Sequence, residues 1–238
     1  MKTVRLDFDA DLVGFLPKAW HRATMPYAFT GPQTVKHLVE SLGIPHTEIQ
    51  SVESNGSPSN VGYLVQDGDR IAVHAVRADS NGEPRFAIDC HLGRLAARLR
   101  MLGLDCEYRN DITDDQLLNL AADGQRTLLS RDRRLLMRKV VRRGCLVRSL
   151  DPLEQVLQVV ARFNLRPWVR PFSRCIRCNH LLESIAKHEV VARLEPLTRL
   201  YFDGFRMCPA CNQIYWKGSH LAKMEAIIRD LGFEATGR

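Results

Sequence analysis

Two C-x-x-C pairs constrain this chain more than any other feature. SRCIRCNHLL carries Cys175 and Cys178, and RMCPACNQIYW carries Cys208 and Cys211. Each pair offers two thiolates to one face of a tetrahedral ion, and two pairs close the site. The expected ion is Zn²⁺, and because four sulfurs leave no open position it is expected to be structural. The 29 residues between the pairs exceed the usual spacing, so a hairpin or helix should be inserted there. A redox dithiol would not explain two matched pairs. Cys90, Cys106 and Cys145 neighbour apolar strand residues and read as buried thiols. An odd total of seven cysteines, with no secretory pattern at the N-terminus, speaks against a disulfide framework.

Charge divides the chain. Residues 1–82 hold seven Lys/Arg against nine Asp/Glu, whereas residues 83–165 hold fifteen against eleven and residues 166–238 twelve against seven. The net charge of +7 therefore arises after the first third, where a surface for a polyanion such as RNA is expected. No stretch approaches the ~18–20 apolar residues of a membrane span, so no membrane association is expected. The start, MKTVRLDFDADLV, carries acids early and has no apolar core of a signal peptide, which gives a cytoplasmic expectation.

In the first third, Val4, Leu6 and Phe8 alternate with polar residues as in a half-buried strand. A helix follows, with Thr34 as N-cap, Val35, Leu38, Val39 and Leu42 as its apolar stripe and Gly43 as its stop. An Asn55-Gly56 turn and the strand in DGDRIAVHAV complete a small α+β unit. TVKHLVESLGIPHTEI, the NG turn and DGDRIAVHAV resemble the β-grasp, ubiquitin-like sulfur carriers. Those carriers end in a free Gly-Gly, whereas here the chain runs on through RADSNGEPR, so a carrier role is not expected. A domain that steadies its neighbour is the reading favoured, and one that docks RNA or a protein partner is the other.

Past the linker at residues 78–84, Phe86-Ala87-Ile88 reads as a buried strand ending at Asp89. Leu92, Leu95, Ala96, Leu99 and Leu102 recur at helical spacing, and Gly103 closes that helix. A second strand spans residues 104–108, Asp114 is the expected cap of a second helix, and residues 126–129 form a third strand. Residues 145–147 form a fourth. Strands alternating with helices imply βαβ units and a parallel sheet.

Between Arg126 and Arg148 stand nine basic residues and one acid, Asp132. In open parallel sheets, ligands bind beyond the carboxyl ends of the strands. Asp89 and Asp132 each follow a strand, and Asp114 sits at a helix N-terminus. Three carboxylates meeting at one edge would repel unless a cation lay among them, and Mg²⁺ or Mn²⁺ suits oxygen ligands. The alternative is that each acid is a cap or a surface ion-pair partner.

FAIDCHLGRLAARLRMLGLDCEYRND and DDQLLNLAADGQRTLLSRDRRLL resemble the Mut-seven C-terminal RNase family, a branch of the PIN-like nucleases. Asp89, Asp114 and Asp132 fall on its acidic positions and Arg131 on the arginine before the last acid, with Ser130 in place of the usual Thr. The family also carries the ribbon, with a YWKGSH motif after the second pair, and is often preceded by a ubiquitin-like segment. The resemblance implies three domains: a β-grasp domain over 1–80, a PIN-like α/β domain over 85–165, and a zinc ribbon with a terminal helix over 170–238. It further implies a metal-dependent ribonuclease. The fourth acid common in PIN nucleases has two candidates, Asp115 and Asp151.

Arg131, Arg133 and Arg134 are the expected backbone-binding cations, and Arg94 and Arg98, four apart on the first helix, read equally as a phosphate-facing ridge or as a solvated helix face. Lys217 and His220 join them beside Tyr215 and Trp216, a mix suited to single-stranded RNA. Packing of Tyr215 and Trp216 within the ribbon is the equal alternative for that motif. A non-catalytic RNA-binding protein is the alternative for the whole chain.

Overall fold

The computed structural model describes residues 1–21, 24–77 and 82–233. In chain order its strands are β1 (Lys2–Phe8), β2 (Thr24–Phe29), β3 (Ile49–Ser54), β4 (Ser57–Ser59), β5 (Arg70–Ala75), β6 (Arg85–Ile88), β7 (Asp105–Glu107), β8 (Thr127–Ser130), β9 (Gly144–Leu146), β10 (Glu183–Ile185), β11 (Phe205–Met207) and β12 (Ile214–Trp216). The helices are α1 (Ala10–Val13), α2 (Val35–Ser41), α3 (Gly93–Met101), α4 (Asp114–Ala121), α5 (Arg133–Leu136), α6 (Pro152–Phe163), α7 (Lys187–Val190), α8 (Pro196–Tyr201) and α9 (Ser219–Asp230). No helix among the described residues is long and apolar enough to cross a membrane.

The chain divides into two compact units, Met1–Asp79 with Thr113–Val147 and Ser80–Ile112 with Arg148–Arg238. The first contains a mixed sheet in the order β2-β1-β5-β3-β4, with β1 parallel to β5 and antiparallel to β2. This is the β-grasp arrangement, with α2 between β2 and β3 in the chain. Val4, Leu6 and Phe8 are buried on one face of β1 while their neighbours are not, as the alternation requires. Thr34 caps α2 by accepting from the His37 N–H, and Gly43 follows the helix with a φ of +92°. All four residues of the expected α2 stripe are buried.

The same unit holds the parallel pair β8–β9, in which Leu128, Leu129 and Ser130 face Gly144, Cys145 and Leu146. The 3-10 turn His46–Glu48 lies against β9. There the missing side chain of Gly144 makes room for Thr47, which a Cβ would meet at 3.2 Å.

In the second unit, β6 and β7 pair in parallel, and α3 packs with α6. Phe86 of β6 meets Phe163 of α6 edge to face, with ring centroids 5.4 Å apart. Leu95, Ala96 and Leu99 of α3 are fully buried. Leu92, read from the sequence as part of that helix, lies in a separate 3-10 turn, Cys90–Leu92. The ribbon adds an antiparallel sheet β10-β11-β12. Val190, Leu194, Phe205 and Ile214 form its own small core. Helices α7 and α8, together with β10, fill the long spacing between the cysteine pairs.

Candidate active site and metal centre

Each candidate acid after a strand starts a helical turn. Asp89 directly follows β6, is 6% exposed, and accepts from the His91 N–H at 3.2 Å. Tyr108, just past β7, pins this turn by donating its hydroxyl to the Cys90 carbonyl at 3.1 Å. Burial pushes the Tyr108 hydroxyl pKa up, and the nearby Cys90 and Asp89 add to that. Cys90 is only half-buried, unlike Cys106 and Cys145, which lie in the core as expected.

Asp132 follows β8 at the N-cap of α5. Its Oδ1 accepts from the N–H groups of Arg134 and Leu135 at 2.7 and 3.4 Å, while Oδ2 takes no hydrogen bond among the described residues. Its own N–H donates to the hydroxyl of fully buried Ser130 at 2.9 Å. The Ser130 side chain thus fixes the backbone from which the acid projects. Asp151 repeats the design at α6, where Oδ1 accepts from Leu153 and Glu154. Those two N–H groups, Glu154 first, hold the Asp151 carboxyl below its ordinary value, and the charge of Arg98 adds to the effect.

Asp114 is not the cap of α4. Thr113 takes that place in a capping box with Gln116, which leaves Asp114 and Asp115 exposed in the first helical turn. A hydroxyl three residues before a glutamine satisfies two backbone donors at once. The pattern Thr-x-x-Gln was the sequence signal for it.

The basic residues fall into different settings. Arg94, Arg131 and Arg134 are exposed, and Arg98 is half-buried. Arg133 instead turns inward, where its Nη1 donates to the carbonyls of Phe15 and Gly43 and its guanidinium lies 5.9 Å from the Phe15 ring centroid. The helix within the basic run is the single turn of α5.

The four ribbon cysteines come together. Their Sγ atoms all lie within 4.8 Å of one another, with Cys178 and Cys208 3.3 Å apart and Cys175 and Cys211 3.6 Å apart. Zinc–thiolate bonds of about 2.3 Å in a tetrahedron place sulfurs about 3.8 Å apart, so this donor set could hold zinc. The two knuckles are built alike. In each, an Asn with positive φ follows the second cysteine and returns its N–H to the first cysteine's carbonyl, Asn179 to Cys175 and Asn212 to Cys208. Asn tolerates this left-handed conformation better than most residues. The shared C-x-x-C-N was therefore a legible signal that the spacing argument passed over.

Tyr215 points its hydroxyl to Cys175 Sγ at 3.1 Å. Burial pushes the Cys175 thiol up, but this hydroxyl and backbone N–H groups outweigh it and bring the pKa to about 7. Tyr215 thus sits against the cysteine cluster, with its hydroxyl turned to a sulfur. Trp216 packs on Phe205 and stays 37% exposed, and Lys217 is exposed. His220 lies in α9, and its side chain is outside the described residues.

Asp89, Cys90 and His91 form the other group of close metal-ligand side chains among the described residues. That group holds one acid, and among the described residues no group of three metal-ligand side chains brings two acids together as the cysteines are brought together.

No curated protein matches the chain. Among solved structures, the crystal structure of SAMP1 from Haloferax volcanii is similar at 18% identity, covering 34% of this chain and 99% of that one with a TM-score of 0.26. The model of the Mut7-C ubiquitin family matches residues 1–81. The model described as Mut7-C RNAse domain matches residues 84–228, well over half of the chain, and the protein therefore belongs to that family.

Proposed function

We propose that the protein is a PIN-like, metal-dependent ribonuclease in which Asp89, Asp114 and Asp132 act on one Mg²⁺ or Mn²⁺ ion. The observation that carries this is the setting of Asp132. It follows a parallel strand, is held by two backbone N–H groups through one oxygen, keeps the other oxygen open, and stands in a stretch with exposed Arg131 and Arg134. Carboxylate oxygens are the donors such hard ions prefer. When bound, the ion would supply Lewis acidity to a phosphodiester.

The chain's own residues do the rest. Helix-capping bonds fix the orientation of Asp132 without neutralising it. Arg131 and Arg134 hold the RNA backbone, and Arg94 and Lys217 are further exposed cations for phosphate. Asp151 is the stronger candidate for the fourth acid, because it repeats the capped, one-oxygen-open design of Asp132, whereas Asp115 is an exposed residue of the first turn of α4. The four cysteines hold a structural Zn²⁺, and the β-grasp domain steadies the strand pair that carries Asp132.

The test is cleavage of end-labelled single-stranded RNA with Mn²⁺ or Mg²⁺ and with EDTA. Cleavage only with the metal supports the proposal. Salt-sensitive binding without cleavage under any metal would make the chain an RNA-binding protein instead.

A further inference from the structure

Arg100 of α3 is 3% exposed. Its Nε and Nη2 donate to the Cys106 carbonyl at 3.0 and 2.8 Å, and Nη2 also reaches the Tyr108 carbonyl at 3.2 Å. Its Nη1 donates to the carbonyls of Ile176 and Arg177 at 3.1 and 2.8 Å. These are the two residues between Cys175 and Cys178. No carboxylate pairs with Arg100 among the described residues. A buried guanidinium that faces carbonyls and the Tyr108 ring, whose centroid is 5.9 Å away, still has no full counter-charge of its own, an unfavourable arrangement unless one lies close by.

Asn179, next after the knuckle, joins it to the same strand. Its Oδ1 accepts from the Cys106 N–H at 3.0 Å, and its Nδ2 donates to Asp105 at 2.8 Å. Arg174, just before the knuckle, donates to the Gly103 carbonyl at 3.1 Å. The first knuckle is therefore sewn to β7 and to the turn that precedes it. From β7 the contacts continue through Tyr108, whose hydroxyl holds the Cys90 carbonyl beside Asp89.

We infer that Arg100 is the counter-cation of the metal-bound knuckle and that, with Asn179, it makes metal occupancy a condition for ordering β7 and the Asp89 turn. The inference rests on the zinc reading of the four cysteines. Four thiolates around a divalent ion leave two net negative charges, which balance a buried guanidinium and strengthen the Ile176 and Arg177 carbonyls as its acceptors. Without the metal, the four sulfurs are no longer tied to one another, and the guanidinium is left with carbonyl dipoles and the Tyr108 ring. Arg100 is thus a positioning residue, acting on Asp89 through β7 and Tyr108.

The experiment has two parts. Zinc content and zinc release to a chelator are measured on the full chain, on Arg100→Met, and on Arg94→Met, which removes the same charge from an exposed site on the same helix. Hydrogen exchange is then followed on the wild-type chain before and after metal removal. Release from Arg100→Met should be about 10- to 100-fold faster, with Arg94→Met unchanged. Metal removal should strip protection from residues 105–108 and 90–93 as well as from the knuckles. Protection lost only in the knuckles, with release from Arg100→Met at the wild-type rate, overturns the latch and leaves the zinc reading standing. A chain that binds no zinc overturns both. If Arg100→Met fails to fold, the exchange comparison on the wild-type chain decides alone.

Discussion

Glu48 reaches from the β-grasp domain to the backbone of β9, where its Oε1 accepts from the Leu146 N–H at 2.6 Å. Both residues are buried, at 6% and 4% exposure. A buried N–H left without a partner costs roughly 1–3 kcal/mol. Glu48→Ala is therefore expected to lower the stability of the full chain by about that amount, read as a shift in the urea midpoint. Glu48→Gln retains an acceptor and should cost less. Equal, negligible effects would mean that the β-grasp domain does not support β9.

Arg133 and its neighbours should separate by function. Hydrogen bonds to charged groups contribute roughly 1.5–3 kcal/mol. Arg133→Ala removes the bonds to Phe15 and Gly43, so it should lower stability on that scale while leaving RNA affinity near wild type. Arg131→Ala and Arg134→Ala should do the reverse, each weakening RNA binding and reducing the slope of log affinity against log salt by about 0.7. Fluorescence anisotropy across a salt series measures this.

Gly93 gives room to Tyr108. A Cβ there would lie 2.6 Å from the Tyr108 hydroxyl, so Gly93→Ala must push the ring away and break its bond to Cys90. A loss of about 1–3 kcal/mol is expected from the overpacking, together with faster amide exchange in the Asp89 turn. Unchanged exchange there would remove Tyr108 from the support of Asp89.

Asp7 makes stability depend on acid. Burial pushes its carboxyl up, but hydrogen bonds from Arg70 and Thr24 and the charges of Arg70 and Arg5 outweigh this and hold it below 3.8. A carboxyl depressed by folding contributes stability in full above its unfolded value and loses it as pH falls through the folded one. Asp7→Asn should thus be less stable than the wild type at pH 7, with the gap narrowing below about pH 4. Urea midpoints at pH 7 and pH 3 test this, and a gap that widens in acid would contradict it.

The fold was legible where periodicity is strong. Val4, Leu6 and Phe8 announce a strand, and Val35, Leu38, Val39 and Leu42 a helix, because burial on one face leaves a repeat in the sequence. The cysteine pairs announced a four-sulfur cluster able to hold a metal, because ligand chemistry leaves few alternatives. What stayed hidden depends on contacts far apart in sequence. Nothing in the run SRDRR says which arginine turns inward, and Arg133 does so where Phe15 and Gly43 present carbonyls to it. Nothing in the sequence marks Arg100 as buried, and its acceptors in the first knuckle lie 76 and 77 residues away. Asp114 was read as a cap because acids favour helix starts, and the Thr113 hydroxyl one residue earlier took the position.

The most direct test is RNA cleavage by Asp132→Asn beside the wild type, with Mn²⁺ present and the same RNA affinity measured on both. The substitution keeps an oxygen for the bonds to Arg134 and Leu135 and removes the negative charge. Cleavage lost with binding and fold retained is the expected result. Cleavage by Asp132→Asn at the wild-type rate would place the chemistry elsewhere and leave Asp132 as a helix cap.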